Sequence, residues 1–139
     1  MLRPGTGGVG RVRTMGRVDD SVIFVARAQV LADLAARGLD TPASVSLLDE
    51  ACSERRWWLE QWAEGAPYIA GLIAQDLQDA LADEFGRDQR DGLWPVCSRC
   101  AEGPVHALHV DPDLGGPDPR WVCEETGEAV APLGGLAGT

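Results

Sequence analysis

Trp94-Pro95-Val96-Cys97-Ser98-Arg99-Cys100 is the stretch that divides this 139-residue chain. Before it, apolar residues recur at helical spacing; after it, short β-type runs alternate with Pro, Gly and Asp. A C-x-x-C turn sets two thiolates on one side of a tight knuckle, as a tetrahedral Zn²⁺ site requires, and a second arm must bring the remaining ligands. Cys123, in Trp121-Val122-Cys123 beyond the Asp111–Pro119 loop, is placed to be that arm. His106 or His109 completes a Cys₃His set. His106 is preferred, because Gly103-Pro104 can turn the chain so that it stays near the knuckle; His109 is the alternative. Three apart on a strand, the two imidazoles point to opposite faces, so one serves as ligand while the other meets solvent.

The second arm departs from a full zinc ribbon. It reads Cys123-Glu124-Glu125-Thr126-Gly127, with Thr126 where a fourth Cys would stand. A neutral hydroxyl is a poor Zn²⁺ ligand beside Cys and His. Either a His takes that corner, or the ribbon no longer binds metal. Cys97 and Cys100 can also be read as small apolar residues of a hairpin, or as a redox pair, although the βαβ context of a thioredoxin-like site is missing. Cys52 sits among apolar helical residues and reads as core.

Outward from the knuckle toward the N-terminus, three amphipathic helices are expected. The first runs from about Asp20 to Arg37, with Asp19, Asp20 and Ser21 as capping groups and Ile23, Phe24, Ala28, Leu31, Leu34 and Ala35 as its apolar face. Thr41-Pro42 starts the second, which continues to about Trp62 along Val45, Leu48, Cys52 and Leu59. The third runs from about Pro67 to Phe85, with Ile69, Leu72, Ile73, Leu77, Ala80 and Leu81 on one face and Gln75, Gln78, Asp79 and Asp83 on the other. Trp57 and Trp58 are adjacent, so only one can face inward. The other offers a partner surface.

The expected fold is therefore mostly α with a small β appendage: a three-helix N-terminal bundle followed by a zinc-ribbon-like β-hairpin module. Residues 1–18 read as a flexible leader, with Met15 as an alternative start; 19–86 as the helical domain; 87–93 as a linker; 94–134 as the Cys/His module; and 135–139 as a loosely held tail. Within the module, Val105–Val110 is a candidate strand, and Arg120–Cys123 and Glu128–Ala131 a candidate hairpin.

Charge narrows the function. The formal net charge is −10, and all 12 basic residues are Arg. Residues 1–14 carry +3, residues 15–86 carry −8 and residues 87–139 carry −5. An acidic body repels phosphate backbones, which disfavours direct nucleic-acid binding. No stretch approaches the ~20 apolar residues of a membrane span, and no signal segment is visible, so a cytoplasmic location is expected. Four Cys in a reducing compartment suit ligands or buried thiols better than disulfides.

The C-terminal window resembles a group of small, uncharacterised actinobacterial proteins. They share a W-P-x-C knuckle, His shortly after it, and a W-x-C-x-x-T-G hairpin. The matching elements are Trp94-Pro95-Val96-Cys97, His106 and His109, and Trp121-Val122-Cys123-Glu124-Glu125-Thr126-Gly127, with Gly134 beyond. The resemblance reaches back through Arg56-Trp57-Trp58-Leu59-Glu60 and the third helix. In that group the position of Cys100 is often His, so the exchange of one zinc ligand type for another favours a metal role. The group carries no established activity.

These readings combine into a non-enzymatic protein-interaction or assembly protein with a structural zinc held by Cys97, Cys100, His106 and Cys123. Its partner is a protein, met at Trp57 or Trp58 or through the acidic body. The competing reading is a zinc-dependent enzyme or a metal or redox sensor. It would use Cys97, Cys100 and Cys123 with a bound water, and Glu124 or Glu125 as base. No catalytic residues are otherwise indicated: both His lie in the metal window, and Gly5–Gly10 lacks the Lys of a phosphate loop.

Overall fold

The structure, a computed structural model, describes residues 6–86, 92–113 and 115–139, with side chains from Asp20 onward. Three helices, α1 (Thr6–Ala36), α2 (Pro42–Gln61) and α3 (Ile69–Phe85), pack each on the other two. A three-stranded antiparallel sheet follows: β1 (His109–Asp111), β2 (Arg120–Val122) and β3 (Ala129–Pro132), in the order β1-β2-β3. The molecule is mostly helical with a small β appendage, as the residue pattern predicts. The expected linker 87–93 falls largely outside the described residues.

Local chemistry sets the helix ends. Thr41 caps α2 by accepting from Ser44 N–H at 3.2 Å, and Pro42 supplies a pre-set φ in the first turn. Gly38, at φ 71°, closes α1 with Gly38 N–H to Ala35 C=O and Leu39 N–H to Leu34 C=O, the paired bonds of a Schellman stop. A 3₁₀ turn over Ala63–Tyr68 joins α2 to α3, so α3 begins at Ile69 rather than Pro67.

Two features of α1 differ from the sequence reading. The α1 helix continues back to Thr6, through residues read as part of a leader. Extension of a helix already anchored by packing adds one hydrogen bond per residue without a new nucleus. The inward face of α1 is also rotated. Ile23, Ala26, Val30, Asp33 and Leu34 are buried, whereas Phe24 is 63% exposed and Ala28 and Ala35 face solvent. The apolar spacing misled because the buried face contains an acid.

The β appendage shares one core with the helices. Trp94, Leu108, Val110, Trp121, Leu133 and Leu136 are buried in the same cluster as Ile23, Leu48, Leu59, Ile73 and Leu77. Gln78, expected on the solvated face of α3, points at the appendage instead. Its Nε2 donates to Trp94 C=O at 3.0 Å and Leu108 C=O at 2.8 Å. The tail is likewise anchored rather than loose: Leu136 is 1% exposed, and its N–H donates to Asp33 Oδ1 at 3.0 Å. Hydrophobic burial of Leu133 and Leu136 is worth roughly 1.5–3 kcal/mol for each side chain, enough to order a short Gly-rich end.

The candidate strand Val105–Val110 divides into two uses. His106 and Leu108 bond back to the knuckle arm, with Cys97 N–H donating to His106 C=O and Leu108 N–H to Pro95 C=O. His109 to Asp111 then pairs with β2, His109 opposite Val122 and Asp111 opposite Arg120. One run of residues thereby links the Cys97–Cys100 knuckle to the sheet. No helix among the described residues is long and apolar enough to cross a membrane.

Candidate metal centre

Three short segments converge at the outer edge of the appendage. The knuckle contributes Cys97 and Cys100, the returning arm contributes His106, and the end of β2 leads into Cys123. Their donor atoms all lie within 4.8 Å of one another. Cys100 Sγ is 3.5 Å from Cys123 Sγ, and Cys123 Sγ is 3.6 Å from His106 Nε2. Cys97 and Cys123 are buried, while Cys100 and His106 are partly exposed at the rim. None of the four cysteines is in a disulfide.

Backbone bonds hold each donor in place. The mutual pairing of residues 95–97 with 106–108 fixes Cys97 against His106. Cys123 is fixed by its own N–H to Glu128 C=O at 3.0 Å and by Gly127 N–H to its carbonyl at 2.8 Å, the two bonds that close the β2–β3 turn. His106 Nδ1 lies 3.1 Å from Pro104 C=O. With the proton on Nδ1 donated to that carbonyl, Nε2 presents its lone pair toward the sulfurs, the tautomer a metal ligand needs.

Electrostatics in this cluster are those of anionic donors crowded together. Cys123 is pulled down to about 6, chiefly by its hydrogen bond with His106 and then by the backbone and hydroxyl of Thr126. His106 is pushed up to about 9, first by Cys123 and then by the Pro104 carbonyl. Cys100 is pushed up to about 12 because it shares a proton with Cys123, is partly desolvated and stands beside Cys97. Like charges this close resist joint ionisation, and a central cation reverses that preference for every donor at once.

Among the described residues, the structure brings together Cys97, Cys100, His106 and Cys123 and leaves His109 outside the group. His109 Nδ1 instead stands 3.7 Å from Glu124 Oε1, in a cleft shared with Gln78 and Asp79. Thr126 stands beside the cluster. It accepts from Glu128 N–H at 3.1 Å and supports the Cys123 sulfur, while His106 brings the fourth donor of the cluster. Cys52 is buried in the helical core and pushed up to about 11 by desolvation, which makes it an unreactive thiol.

One feature of the molecule was not legible as a site residue in the sequence. Asp33 is fully buried, and its carboxylate accepts from Trp121 Nε1 at 2.7 Å, Gly134 N–H at 2.6 Å and Leu136 N–H at 3.0 Å. Its backbone carbonyl accepts from Trp94 Nε1 at 3.3 Å. It thus braces both tryptophans that flank the cysteines in sequence. The signal was available: position 33 lies on the same helical face as Ile23, Ala26 and Val30.

A family described as a domain of unknown function (DUF8819) matches residues 19–133. The chain belongs to this family. The match takes in α1 from residue 19 onward, the whole of α2 and α3, and the whole Cys/His cluster. No curated protein and no solved structure matches the chain.

Proposed function

We propose that the chain is a non-enzymatic protein-interaction or assembly protein of the cytoplasm, its β appendage held by a structural zinc on Cys97, Cys100, His106 and Cys123. The observation that carries this reading is the convergence of four soft or borderline donors within 4.8 Å. A tetrahedral zinc with Zn–S about 2.3 Å and Zn–N about 2.0–2.1 Å has S···S edges of about 3.8 Å and S···N edges of about 3.6 Å. The 3.5 Å and 3.6 Å separations at Cys123 are close to those values. Thiolates with one imidazole suit zinc far better than Mg²⁺ or Ca²⁺, which take oxygen ligands.

Four protein ligands leave no open coordination position for water or substrate, which favours a structural role over a catalytic one. The role is thermodynamic. The knuckle and its return arm, residues 97–107, contain mostly exposed side chains and little apolar surface of their own. Metal binding would supply the ordering free energy that such a segment lacks.

The test is elemental analysis of tag-free protein together with its melting curve. One zinc per chain is expected, with Cys97→Ser losing both the metal and several degrees of melting temperature. Metal content and melting unchanged by Cys97→Ser would reject the staple. A three-protein-ligand zinc with bound water would turn the reading toward an enzyme.

A further inference from the structure

We propose that the aromatic and acidic surface at the C-terminal end of α2 is a docking site for an arginine-bearing basic segment of a partner protein. This deepens the reading of the chain as an interaction protein and is independent of the metal.

The surface is centred on Trp57, 64% exposed at the last full turn of α2. Trp62 is 43% exposed and Tyr68 37% exposed at the two ends of the 3₁₀ turn that follows. These rings are arranged, not scattered. Trp58 meets Trp62 edge-on at 5.1 Å between centroids, and Trp62 stacks on Tyr68 at 5.7 Å. The 3₁₀ turn beneath them passes through Gly65, where even a methyl group would come within 2.6 Å of the Trp58 ring. The chain thus closes tightly under its aromatic rings while leaving their outer faces open to solvent.

Charge selects the occupant. On the helix surface Trp57 has Glu54 three residues before it and Glu60 three after it, the spacing of neighbours on one face. Glu64 is exposed on the following turn. Aromatic faces carry negative quadrupole density, so rings framed by carboxylates attract a cation and repel an anion. Arginine fits better than lysine, because its planar guanidinium stacks on an indole while bonding a carboxylate bidentately.

The fold already contains one such arrangement. Arg55 lies over the Trp58 ring, 5.4 Å from its centroid, and bonds Asp76 through Nε at 2.6 Å and Nη2 at 3.0 Å. Asp76 compensates the Arg55 charge, and Asp20 pairs with the neighbouring Arg56 at 3.2 Å, so neither arginine opposes an incoming cation with an uncompensated charge. The open groove of about 400 Å³ bounded by Glu54, Arg55, Trp57, Trp58 and Asp76 is large enough for one further guanidinium side chain. Trp57 and Glu54 would hold it as Trp58 and Asp76 hold Arg55.

The experiment titrates the full-length, metal-loaded protein with hexa-arginine and with hexa-lysine by calorimetry at two salt concentrations. Saturable one-to-one binding of hexa-arginine is expected, tighter than hexa-lysine and weakened by salt. Trp57→Ala should weaken it about tenfold, Trp57→Phe should restore part of that loss, and Glu54→Gln should weaken it about threefold. Absence of binding overturns the proposal. So does equal affinity for both peptides that Trp57→Ala leaves unchanged, since that reports only the acidic body. Self-association of the protein that Trp57→Ala abolishes, without peptide binding, also overturns it and assigns the surface to a second copy. Zinc content measured on the same samples keeps a failure of this surface distinct from a failure of the metal staple.

Discussion

Asp33 and Trp121, 88 residues apart in sequence, meet in the core with the indole Nε1–H donating to Oδ2 at 2.7 Å. Two backbone N–H groups, from Gly134 and Leu136, share the same carboxylate. A buried acid is expensive to desolvate and is retained only where donors surround it. Asp33 thereby ties α1 to the central strand of the sheet and to the C-terminal segment in a single contact.

Replacing Asp33 by Ala leaves those three donors buried without partners, at about 1–3 kcal/mol each. A loss of roughly 3–5 kcal/mol is expected, a large part of the stability of an ordinary domain. Asp33→Asn keeps one acceptor oxygen but turns an NH₂ toward a donor, so it should fall between wild type and Ala. Urea unfolding followed by tryptophan fluorescence measures both. A loss under 1 kcal/mol for Asp33→Ala would show that the contact is not a keystone.

Much of this architecture was legible in the residues. The caps at Thr41-Pro42 and Gly38, the hairpin around Glu124–Gly127 and the four clustered donors all follow from local chemistry that operates within a few residues. What was not legible depends on partners far away. Phe24 was expected inward and lies outward, because the opposite face of α1 turns inward with Asp33, whose donors arrive from residues 121, 134 and 136. Gln78 was expected in solvent and faces Trp94 and Leu108 for the same reason. A polar residue reads as surface until its long-range partner is known.

Close approach of backbones gives a second expectation. The loop after β1 lies against the start of α3, where a Cβ on Gly71 would stand 2.9 Å from Gly115 Cα. Gly115 itself has φ 78°, and a Cβ there would meet Tyr68 C=O at 2.5 Å. Backbone cannot yield as a flexible side chain does. Gly71→Ala should therefore cost about 1–3 kcal/mol although Ala is the better helix former. Gly115→Ala should cost more, from added strain at positive φ. Thermal unfolding ranks the two, and a stabilised Gly71→Ala would contradict the packing.

Metal uptake should release protons. At pH 7 the ion-free protein carries protons on His106, at about 9, and on Cys100, at about 12, while Cys123, at about 6, is mostly ionised. A metal needs the lone pairs those protons occupy. Loading at pH 7 should therefore release at least two protons per ion, and affinity should fall as pH falls. Zinc titrations in buffers of different ionisation enthalpy count the protons directly. Release of fewer than two would exclude one of these groups from the ligand set.

Thr126 offers the sharpest local test, because it replaces a ligand yet still serves the sulfur. Its hydroxyl and backbone both favour the Cys123 thiolate, after the larger effect of His106. In metal-free protein, the ultraviolet absorbance of the Cys123 thiolate should appear with a midpoint near pH 6, a readout that its burial does not block. Thr126→Val removes the hydroxyl donor and should move that midpoint upward. His106→Ala removes the leading cause and should move it further, toward the ordinary thiol value. Cys52, pushed up to about 11 in the core, should add no thiolate absorbance across the same range unless the chain unfolds. An order of shifts in which Thr126→Val exceeds His106→Ala would mean that the turn, and not the imidazole, governs the charge at the centre.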